Sequence, residues 1–252
     1  MEIMKGAESF SHEGRLNAGV VVLQGFTGTT GSVIYLARFL ADNGLHIECP
    51  RLSGHGTKWE DLNKVSYTDW IKDVENAYST LRKRVDNIFV EGLSMGGALA
   101  LYLEESHSEI LGGILINHII LLEGFSVRLL PILKLFIKSV PAISSDIKDP
   151  SEHELAYDRT PTGGAHEMVK LLKLVRDNLN KVEQPNLIFK SREDHVVPLS
   201  NVEYTLKYLP SKEKEIIWLE NSYHVATMDY DKDIICEKSL GFIKKHLSVS
   251  KG

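Results

Sequence analysis

The chain has 252 residues, of which 43% are hydrophobic and 25% are charged, and its net charge at pH 7 is −5. This length and composition favour one large soluble α/β domain, which can bury a core without disulfides or a metal. The mild acidity argues against a nucleic-acid partner. The sequence also lacks an uninterrupted apolar stretch of about 18 residues, the mark of a membrane-spanning helix.

The cysteines and the first residues of the chain give two further expectations. Cys49 and Cys236 form neither a C-x-x-C motif nor a Cys/His zinc spacing, so we expect no disulfide scaffold and no metal site. Residues 1–14 contain charges and glycine but no apolar run, so no secretory signal is predicted. A cytoplasmic location follows as the default expectation.

Predicted strands alternate with predicted helices along the chain, which is typical of a mostly parallel sheet with helices on both faces. Strands are predicted at residues 20–23, 45–49, 88–90, 114–116, 187–189 and 216–219. Helices are predicted from about Ser32 to near Gly44, from an N-cap at Thr68 to Leu81, over 98–103, and from about Lys232 to His246. The sequence therefore predicts an α/β fold.

One segment interrupts this alternation. Residues 119–162, called the cap segment below, are rich in apolar side chains and are interrupted by Pro131, Pro141 and Pro150. An insertion this apolar between two strands of one sheet would cover the carboxyl ends of the strands, where open α/β sheets bind ligands. We therefore predict a cap inserted between core residues 1–118 and 163–252. The alternative is an ordinary pair of crossover helices buried against the core.

The charges of the cap segment limit its relation to a membrane. Arg128, Lys134 and Lys138 interrupt the apolar stretch, so it is not expected to span a bilayer. A transient interfacial contact through the cap stays open as an alternative.

The pentapeptide Gly92-Leu93-Ser94-Met95-Gly96 places a serine where the strand 88–90 turns sharply into the helix 98–103. This is the pattern of a nucleophile elbow, in which a strained backbone holds the serine Oγ clear of the sheet and glycines remove clashing Cβ atoms. The strand-turn-helix context favours Ser94 as a nucleophile. The alternative is a glycine-rich turn with a serine that caps a helix.

A serine hydroxyl is a poor nucleophile unless a base accepts its proton, so Ser94 needs a histidine within reach. In α/β-hydrolases the partners follow in the order Ser, Asp or Glu, then His, on loops after later strands. Asp194 follows the strand 187–189, and His224 follows the strand 216–219. We therefore predict that His224 is the base and that Asp194 orients it and stabilises its charged form.

Three other residues compete for these two roles. Glu193 and His195 flank Asp194 in the same loop, although as isolated residues they would more often be solvated charges. His55 lies between two glycines and is interpreted as a residue that structures its loop rather than as a base. The order along the chain and the strand-end positions favour Asp194 and His224.

An oxyanion formed by attack on an ester needs hydrogen-bond donors that are already in place, and two backbone N–H groups can supply them. Met95 follows the nucleophile at the start of a helix, where the N–H is unpaired and the helix dipole favours negative charge. Phe26 is the second candidate, because its loop turns through Gly25 and Gly28 toward the same edge of the sheet.

Five blocks of the chain resemble the bacterial monoacylglycerol lipases and the closely similar small carboxylesterases of the α/β-hydrolase fold. The blocks are Gly25-Phe26-Thr27-Gly28-Thr29, Pro50-Arg51-Leu52 with Gly54-His55-Gly56-Thr57, Gly92-Leu93-Ser94-Met95-Gly96-Gly97, Glu193-Asp194-His195-Val196-Val197-Pro198 and Asn221-Ser222-Tyr223-His224-Val225-Ala226-Thr227. The resemblance implies a mostly parallel central sheet with helices on both faces and an inserted apolar cap. It also implies a triad of Ser94, Asp194 and His224, with oxyanion N–H groups from Phe26 and Met95.

The resemblance extends to the substrate, with one departure. It implies that the cap segment forms an apolar tunnel for the acyl chain and that Glu154 meets the glycerol head; alternatively, Glu154 is a favourable charge in the first turn of a helix. The family usually has His-Gly before the oxyanion phenylalanine, whereas here Gln24 precedes Gly25. Gln24 can donate and accept hydrogen bonds and so can preserve part of the histidine's role, although the exact aim of the Phe26 N–H then depends on it.

The sequence therefore predicts a serine hydrolase that cleaves monoacylglycerols through an acyl-enzyme and needs no cofactor. The nearest alternative is a broad carboxylesterase for short- or medium-chain acyl esters. An alternative of another class is a catalytically silent α/β-hydrolase that binds an apolar ligand under the cap. The complete set of Ser94, Asp194 and His224 argues against that alternative, because a binding protein has no use for all three.

Overall fold

The computed structural model describes residues 2–122, 124–142 and 145–249. The strands are β1 (Phe10–His12), β2 (Ala18–Leu23), β3 (His46–Cys49), β4 (Asn87–Leu93), β5 (Gly112–Ile116), β6 (Ser139–Pro141), β7 (Arg159–Pro161), β8 (Asn186–Ser191) and β9 (Lys214–Leu219). The helices are α1 (Ile34–Asp42), α2 (Trp59–Leu62), α3 (Tyr67–Arg82), α4 (Met95–Ser106), α5 (Phe125–Phe136), α6 (Thr162–Asn178), α7 (Ser200–Tyr208) and α8 (Lys232–Val249). Positions 123, 143 and 144 of the cap segment lie outside the described residues.

The central sheet has seven strands in the order β1-β3-β2-β4-β5-β8-β9. Its neighbouring strands are parallel, except that β1 pairs antiparallel with β3. The chain passes from β2 to β3 on one side and then returns to β4 on the other side of β2. Because the strand order reverses there, the loops after β2 and β4 diverge and leave a crevice at the carboxyl edge of the sheet. Gly25 and Ser94 lie in those two loops.

Side chains of β2 show how the sheet is covered on both faces. Val20 and Val22 belong to one buried apolar cluster with residues of α1 and α8. Val21 and Leu23 belong to a second cluster with residues of α3, α4 and α6. Since successive side chains of a strand point to opposite faces, helices pack against both sides of the sheet. The predicted architecture is therefore confirmed.

The structure contains elements that the sequence does not predict. Helices α6 and α7 are not among the predicted helices. Strand β1 is not predicted either, because it is only three residues long and has no buried apolar run. Helix α3 begins one residue before the expected N-cap, Thr68, and its N-cap is Ser66. The Asp69 carboxylate accepts the backbone N–H of Ser66 at 2.8 Å, which is the reciprocal arrangement of a capping box. This second hydrogen bond favours Ser66 over Thr68.

The cap segment contains α5 and the antiparallel pair β6 and β7, and α5 packs against α6. Pro131 lies inside α5, which continues through it although proline supplies no N–H for a helical hydrogen bond. Leu135 and Phe136 of α5 are exposed by 65% and 80%. A helix long and apolar enough to cross a membrane is not found within the described ranges.

A buried carboxyl lies next to the turn that carries Ser94. Glu91 of β4 is fully buried, and its Oε1 accepts a hydrogen bond from Ser239 Oγ of α8 at 2.6 Å. Burial raises the pKa of Glu91 to about 8, and the hydrogen bond from Ser239 opposes this only in part. The group is therefore protonated in the folded protein at neutral pH, whereas in the unfolded chain it ionises above about pH 4.3.

We expect this buried carboxyl to make the folded state less stable as the pH rises. Its contribution is neutral below about pH 4 and becomes more unfavourable as the pH approaches the folded-state pKa of about 8. Glu91→Gln keeps an acceptor for Ser239 and removes the titration. Between pH 5 and 8 the free energy of unfolding should therefore fall less in this variant than in the unchanged protein, and the two falls should differ by about 2 kcal/mol or more. Urea unfolding at several pH values measures this difference.

The control is the same substitution at Glu13, whose side chain is 77% exposed. Glu13→Gln should follow the pH dependence of the unchanged protein. A Glu91→Gln curve parallel to that of the unchanged protein would mean that Glu91 is ionised in the folded state.

Candidate active site

Ser94 lies between β4 and α4 in a backbone conformation that L-residues rarely adopt. Its φ is +54° and its ψ is −115°. The backbone on both sides fixes this turn, since the Ser94 N–H donates to the Ile116 carbonyl at 2.9 Å and the Ser94 carbonyl accepts the Gly97 N–H at 3.0 Å. Such strain persists only where the surrounding structure enforces it, and it holds the serine at the carboxyl edge of the sheet.

Two glycines permit this turn through close backbone contacts. A Cβ at Gly92 would lie 2.1 Å from the backbone of Gly96. A Cβ at Gly96 would lie 2.2 Å from the carbonyl oxygen of Leu23, the last residue of β2. The glycine positions of the predicted elbow therefore have the steric role that the sequence pattern indicates, and they press the turn against the end of the neighbouring strand.

The structure brings Asp194 and His224 into contact from loops after β8 and β9. His224 Nδ1 lies 3.1 Å and 3.2 Å from the two carboxylate oxygens of Asp194. The backbone N–H groups of Val196 and Val197 donate to Asp194 Oδ1, each at 2.9 Å. These contacts fix the carboxylate and leave the Nε2 side of the imidazole for a second partner.

Lys190 of β8 is a third partner of the same carboxylate, and sequence reasoning did not identify it. Its ammonium contacts Asp194 Oδ2, and both side chains are almost fully buried. Burial raises the pKa of the Asp194 carboxyl, but hydrogen bonding and charge from His224 and Lys190 outweigh burial and hold that pKa well below its usual range. Asp194 is therefore ionised throughout the neutral range.

The competing residues of the sequence analysis lie elsewhere. Glu193 is exposed and pairs with Lys148 at 3.0 Å. His195 is also exposed, and its Nδ1 lies 2.8 Å from Asp146 Oδ1. His55 is fully buried with Nδ1 at 3.1 Å from the Ser53 carbonyl, and burial lowers the pKa of His55 to about 4. His55 therefore stays neutral inside its loop, in agreement with the structural interpretation.

A cavity of about 360 Å³ connects Ser94 with His224. Its lining includes Ser94, His224, Phe26 and Glu154, together with apolar side chains from both the core and the cap segment. The other lining residues are Gly25, Thr27, Leu93, Ile119, Leu122, Pro141, Ser145, Asp146, Thr160, Ala165, Met168, Val196, Val197 and Val225. The cavity therefore combines a largely apolar wall with a few polar groups near the serine, which is the usual composition of a small-molecule site.

Ser94 and His224 line this cavity, but no hydrogen bond between them is present among the described side chains. Hydrogen bonds of this kind are often long without substrate and shorten when a substrate binds. The same described residues contain no cluster of three or more His, Cys, Asp or Glu side chains that could hold a metal ion.

The two predicted oxyanion donors come from the loops after β2 and β4. Met95 is the first residue of α4, where backbone N–H groups have no partner within the helix. Phe26 lines the cavity, and a Cβ on its neighbour Gly25 would lie 3.3 Å from Ser94 Cβ. The backbone of the Phe26 loop therefore passes directly beside the serine.

Gln24 supports this loop from inside the protein. Its side chain is fully buried, and Nε2 donates to the Gly28 carbonyl at 3.1 Å. The bond joins the two ends of the loop that contains Phe26 and Thr27, where Thr27 has a φ of +64°. Gln24 Oε1 has no hydrogen-bond partner in the part of the chain that the structure describes. The residue that departs from the family pattern therefore braces the loop through its amide donor.

Glu154 lies in an irregular part of the cap segment and not at the start of a helix, so the alternative of a first-turn charge does not apply. Its Oε1 accepts a hydrogen bond from Ser32 Oγ at 2.7 Å, and its N–H donates to Ser145 Oγ at 3.0 Å. Burial raises the pKa of Glu154, against the opposing effects of Ser32 and the nearby His224. A carboxyl held in this way presents a fixed polar group to the cavity.

Two more residues that sequence reasoning missed, the buried Asn117 and the half-buried Asp146, hold the His224 loop. Asn117, with a φ of +42° at the end of β5, donates to the His224 carbonyl at 2.8 Å and to Ser191 Oγ at 2.9 Å. Asp146 of the cap segment accepts the His224 N–H at 3.0 Å. Both residues are distant from His224 in the sequence. Only Asn117 carries a signal in the sequence, because it is a polar residue directly after a buried strand.

The chain is similar to known proteins over most of its length. The family model described as serine aminopeptidase, S33 matches residues 14–231. The chain belongs to this family. It is 42% identical over 249 residues to the thermostable monoacylglycerol lipase of Bacillus sp. (strain H-257), covering 97% of each protein. It is 27% identical over 235 residues to a carboxylesterase of Bacillus subtilis (strain 168), covering 90% of this chain and 92% of the esterase.

A solved structure reported for the metagenome-derived lipolytic enzymes LipS and LipT superimposes with a TM-score of 0.94. It is 39% identical and covers 97% of this chain and 100% of that one. The family match and this structural agreement confirm the α/β-hydrolase fold and the resemblance to bacterial lipases and esterases. The prediction of a serine ester hydrolase is confirmed with them.

The close backbone contact at Gly92 generates a test of the turn. In Gly92→Ala the new Cβ would lie 2.1 Å from the Gly96 backbone, so the turn must shift. We expect the free energy of unfolding to fall by about 2 kcal/mol or more, with loss of ester hydrolysis. Urea unfolding and an esterase assay measure the two effects.

Gly241→Ala in α8 is the matched control, because nothing lies within 4 Å of the added methyl group. Alanine favours a helix by up to about 1 kcal/mol over glycine, so this variant should be as stable as the unchanged protein or more so. A Gly92→Ala protein with unchanged stability and activity would show that the turn tolerates a side chain there.

Proposed function

We propose that the protein hydrolyses monoacylglycerols to a free fatty acid and glycerol, with Ser94 as nucleophile, His224 as base and Asp194 as the orienting carboxylate. The observation that carries this proposal is the shared cavity. It receives Ser94 and the Asp194-bound His224 at one wall, offers apolar side chains to an acyl chain and presents the Glu154 carboxyl near the reacting groups. The 42% identical Bacillus lipase supports the choice of substrate.

Acylation begins when Ser94 Oγ attacks the ester carbonyl carbon and its proton passes to His224 Nε2. Asp194 accepts the Nδ1–H of His224, which selects the tautomer with a free Nε2 and stabilises the imidazolium that forms. The carbonyl π electrons move to oxygen and give a tetrahedral oxyanion. In this proposal the N–H groups of Phe26 and Met95 donate to that oxyanion, a contact worth about 3 kcal/mol per donor in such sites.

Collapse of the intermediate releases glycerol and leaves the acyl group on Ser94. The bond from carbon to the glycerol oxygen breaks, and His224 donates its Nε2 proton to that oxygen. Deacylation repeats the sequence with water, whose proton passes to His224 as its oxygen attacks the acyl carbon. The fatty acid then leaves, and the proton returns from His224 to Ser94 Oγ.

The apolar and polar walls of the cavity bind different parts of the substrate in this proposal. Ile119, Leu122 and Met168 offer apolar surface for the acyl chain. Glu154, anchored by Ser32, supplies an acceptor for a glycerol hydroxyl. We propose that the cap segment covers the edge of the sheet and holds both walls of the cavity over Ser94. The cytoplasmic location predicted from the sequence stays part of this proposal.

The second candidate is a broad carboxylesterase, which the 27% identical Bacillus subtilis relative favours. The two candidates share the serine chemistry and differ in the use of the polar end of the cavity. A carboxylesterase needs no acceptor for an alcohol hydroxyl. The role of Glu154 therefore distinguishes them.

We expect Glu154→Ala to lower kcat/KM for a monoacylglycerol by at least roughly tenfold, because a substrate hydroxyl loses its buried acceptor. The kcat/KM for a methyl ester of the same fatty acid should change by less than about threefold, since that ester has no hydroxyl to bind. Initial rates on both esters measure the ratio.

Glu152→Ala, which removes a nearby cap-segment carboxylate paired with Lys232, is the control and should leave both values unchanged. Equal losses on both esters in Glu154→Ala would assign Glu154 to support of the cap segment and favour the carboxylesterase.

A further inference from the structure

We infer that Lys190 is a positioning residue that tunes the Asp194 and His224 pair, so that His224 remains a competent base at lower pH than it would without the lysine. The inference rests on the proposed function, in which His224 is the base. It assigns a role to a buried cation that the hydrolytic steps themselves do not use.

The geometry gives Lys190 a fixed place behind Asp194. Its side chain is 4% exposed, and its ammonium contacts Asp194 Oδ2 and donates to the Val197 carbonyl at 2.6 Å. The Asp194 side chain is 1% exposed. Lys190 lies on β8, and Val197 follows Asp194 in the loop after that strand. The ammonium therefore links the end of the strand to the Asp194 carboxylate and to the backbone that follows it.

The contact changes the charge that His224 meets when it accepts a proton. With Asp194 alone, the aspartate and the imidazolium form a neutral pair. With Lys190 present, the charge of Asp194 is already balanced, and protonation of His224 makes the group of Lys190, Asp194 and His224 net positive. A nearby like charge disfavours the protonated imidazole, so Lys190 keeps the base free at lower pH. The same ammonium holds Asp194 in place for the Nδ1 contact.

Other titratable groups face the pair from neighbouring elements. His118, close to Lys190 on the β5 side, is fully buried, and burial followed by the charge of Lys190 lowers the pKa of His118 to about 3, which leaves it neutral. From the cap segment, Glu154 lies close enough to His224 for the charge of His224 to oppose the rise of the Glu154 pKa, and Asp146 accepts the His224 N–H. Both carboxyl groups remain in a Lys190 variant, so a comparison with the unchanged protein isolates the lysine.

The test is the pH dependence of kcat/KM for an ester between pH 4.5 and 8, measured for the unchanged protein and for Lys190→Met. Methionine has a similar length and no charge. We expect the acidic limb of the profile to move to higher pH by about one unit, so that activity relative to the alkaline plateau falls roughly fivefold or more at the foot of the limb.

Lys214→Met is the matched control. Lys214 lies on the neighbouring strand β9, and its ammonium donates to the Leu206 and Leu209 carbonyls rather than to Asp194. Its profile should superimpose on that of the unchanged protein. If Lys190→Met does not fold, Lys190→Gln, which keeps a donor for Asp194 and removes the charge, gives the same comparison.

The rate of Ser94 labelling by a fluorophosphonate, followed over the same pH range, provides a readout that does not depend on the natural substrate. A parallel shift of the hydrolysis and labelling limbs in the Lys190 variant supports the inference. A uniform loss at every pH with an unmoved limb would overturn it and leave Lys190 a purely structural residue. Failure of the proposed function is distinguishable, because the unchanged protein would then neither hydrolyse esters nor react at Ser94.

Discussion

The contact between the turn after β4 and the end of β2 determines where the rest of the site lies. Gly96 packs so closely on Leu23 that a methyl group would lie 2.2 Å from its carbonyl oxygen, and Gly92 meets the Gly96 backbone in the same way. This packing holds Ser94 at φ +54° beside the Gly25 loop. The energy stored in that strained residue is offset by the hydrogen bonds of the two central strands. Ser94 and the Phe26 loop are therefore neighbours because β2 and β4 are neighbours in the sheet.

The remaining groups are carried to Ser94 by polar contacts between loops. Asn117 binds the carbonyl of His224, Asp146 binds its N–H, and Lys190 holds Asp194 against the imidazole. Each of these contacts is wholly or largely buried, where an unpaired polar group would be costly, so each also fixes one arrangement of its loop. Asp146 joins the cap segment to the His224 loop, and the cavity lies between them. Rigid support of this kind is what preorganised ester hydrolysis requires.

The sequence was sufficient for those parts of the structure that depend on local patterns. The sequence predicts that Ser94, Asp194 and His224 lie close together because each follows a predicted strand, and parallel strands bring such loops to one edge. Lys190, by contrast, directly follows the predicted strand 187–189 and lies inside the observed strand β8, where a lone lysine gives no indication of its partner four residues later. The sequence gives no indication of the role of Asp146 either, because its partner His224 is 78 residues away. Long-range polar contacts leave no periodic signal, and neither does a strand of three residues such as β1.

We propose that the folded chain activates Ser94 as a nucleophile through His224. Peptide mapping after reaction with a fluorophosphonate tests it most directly, with His224→Ala treated in parallel under identical conditions. We expect one covalent adduct, on the peptide that contains Ser94, and a large loss of labelling in a His224→Ala protein that remains folded. An adduct on another residue, or equal labelling rates in both proteins, would contradict it.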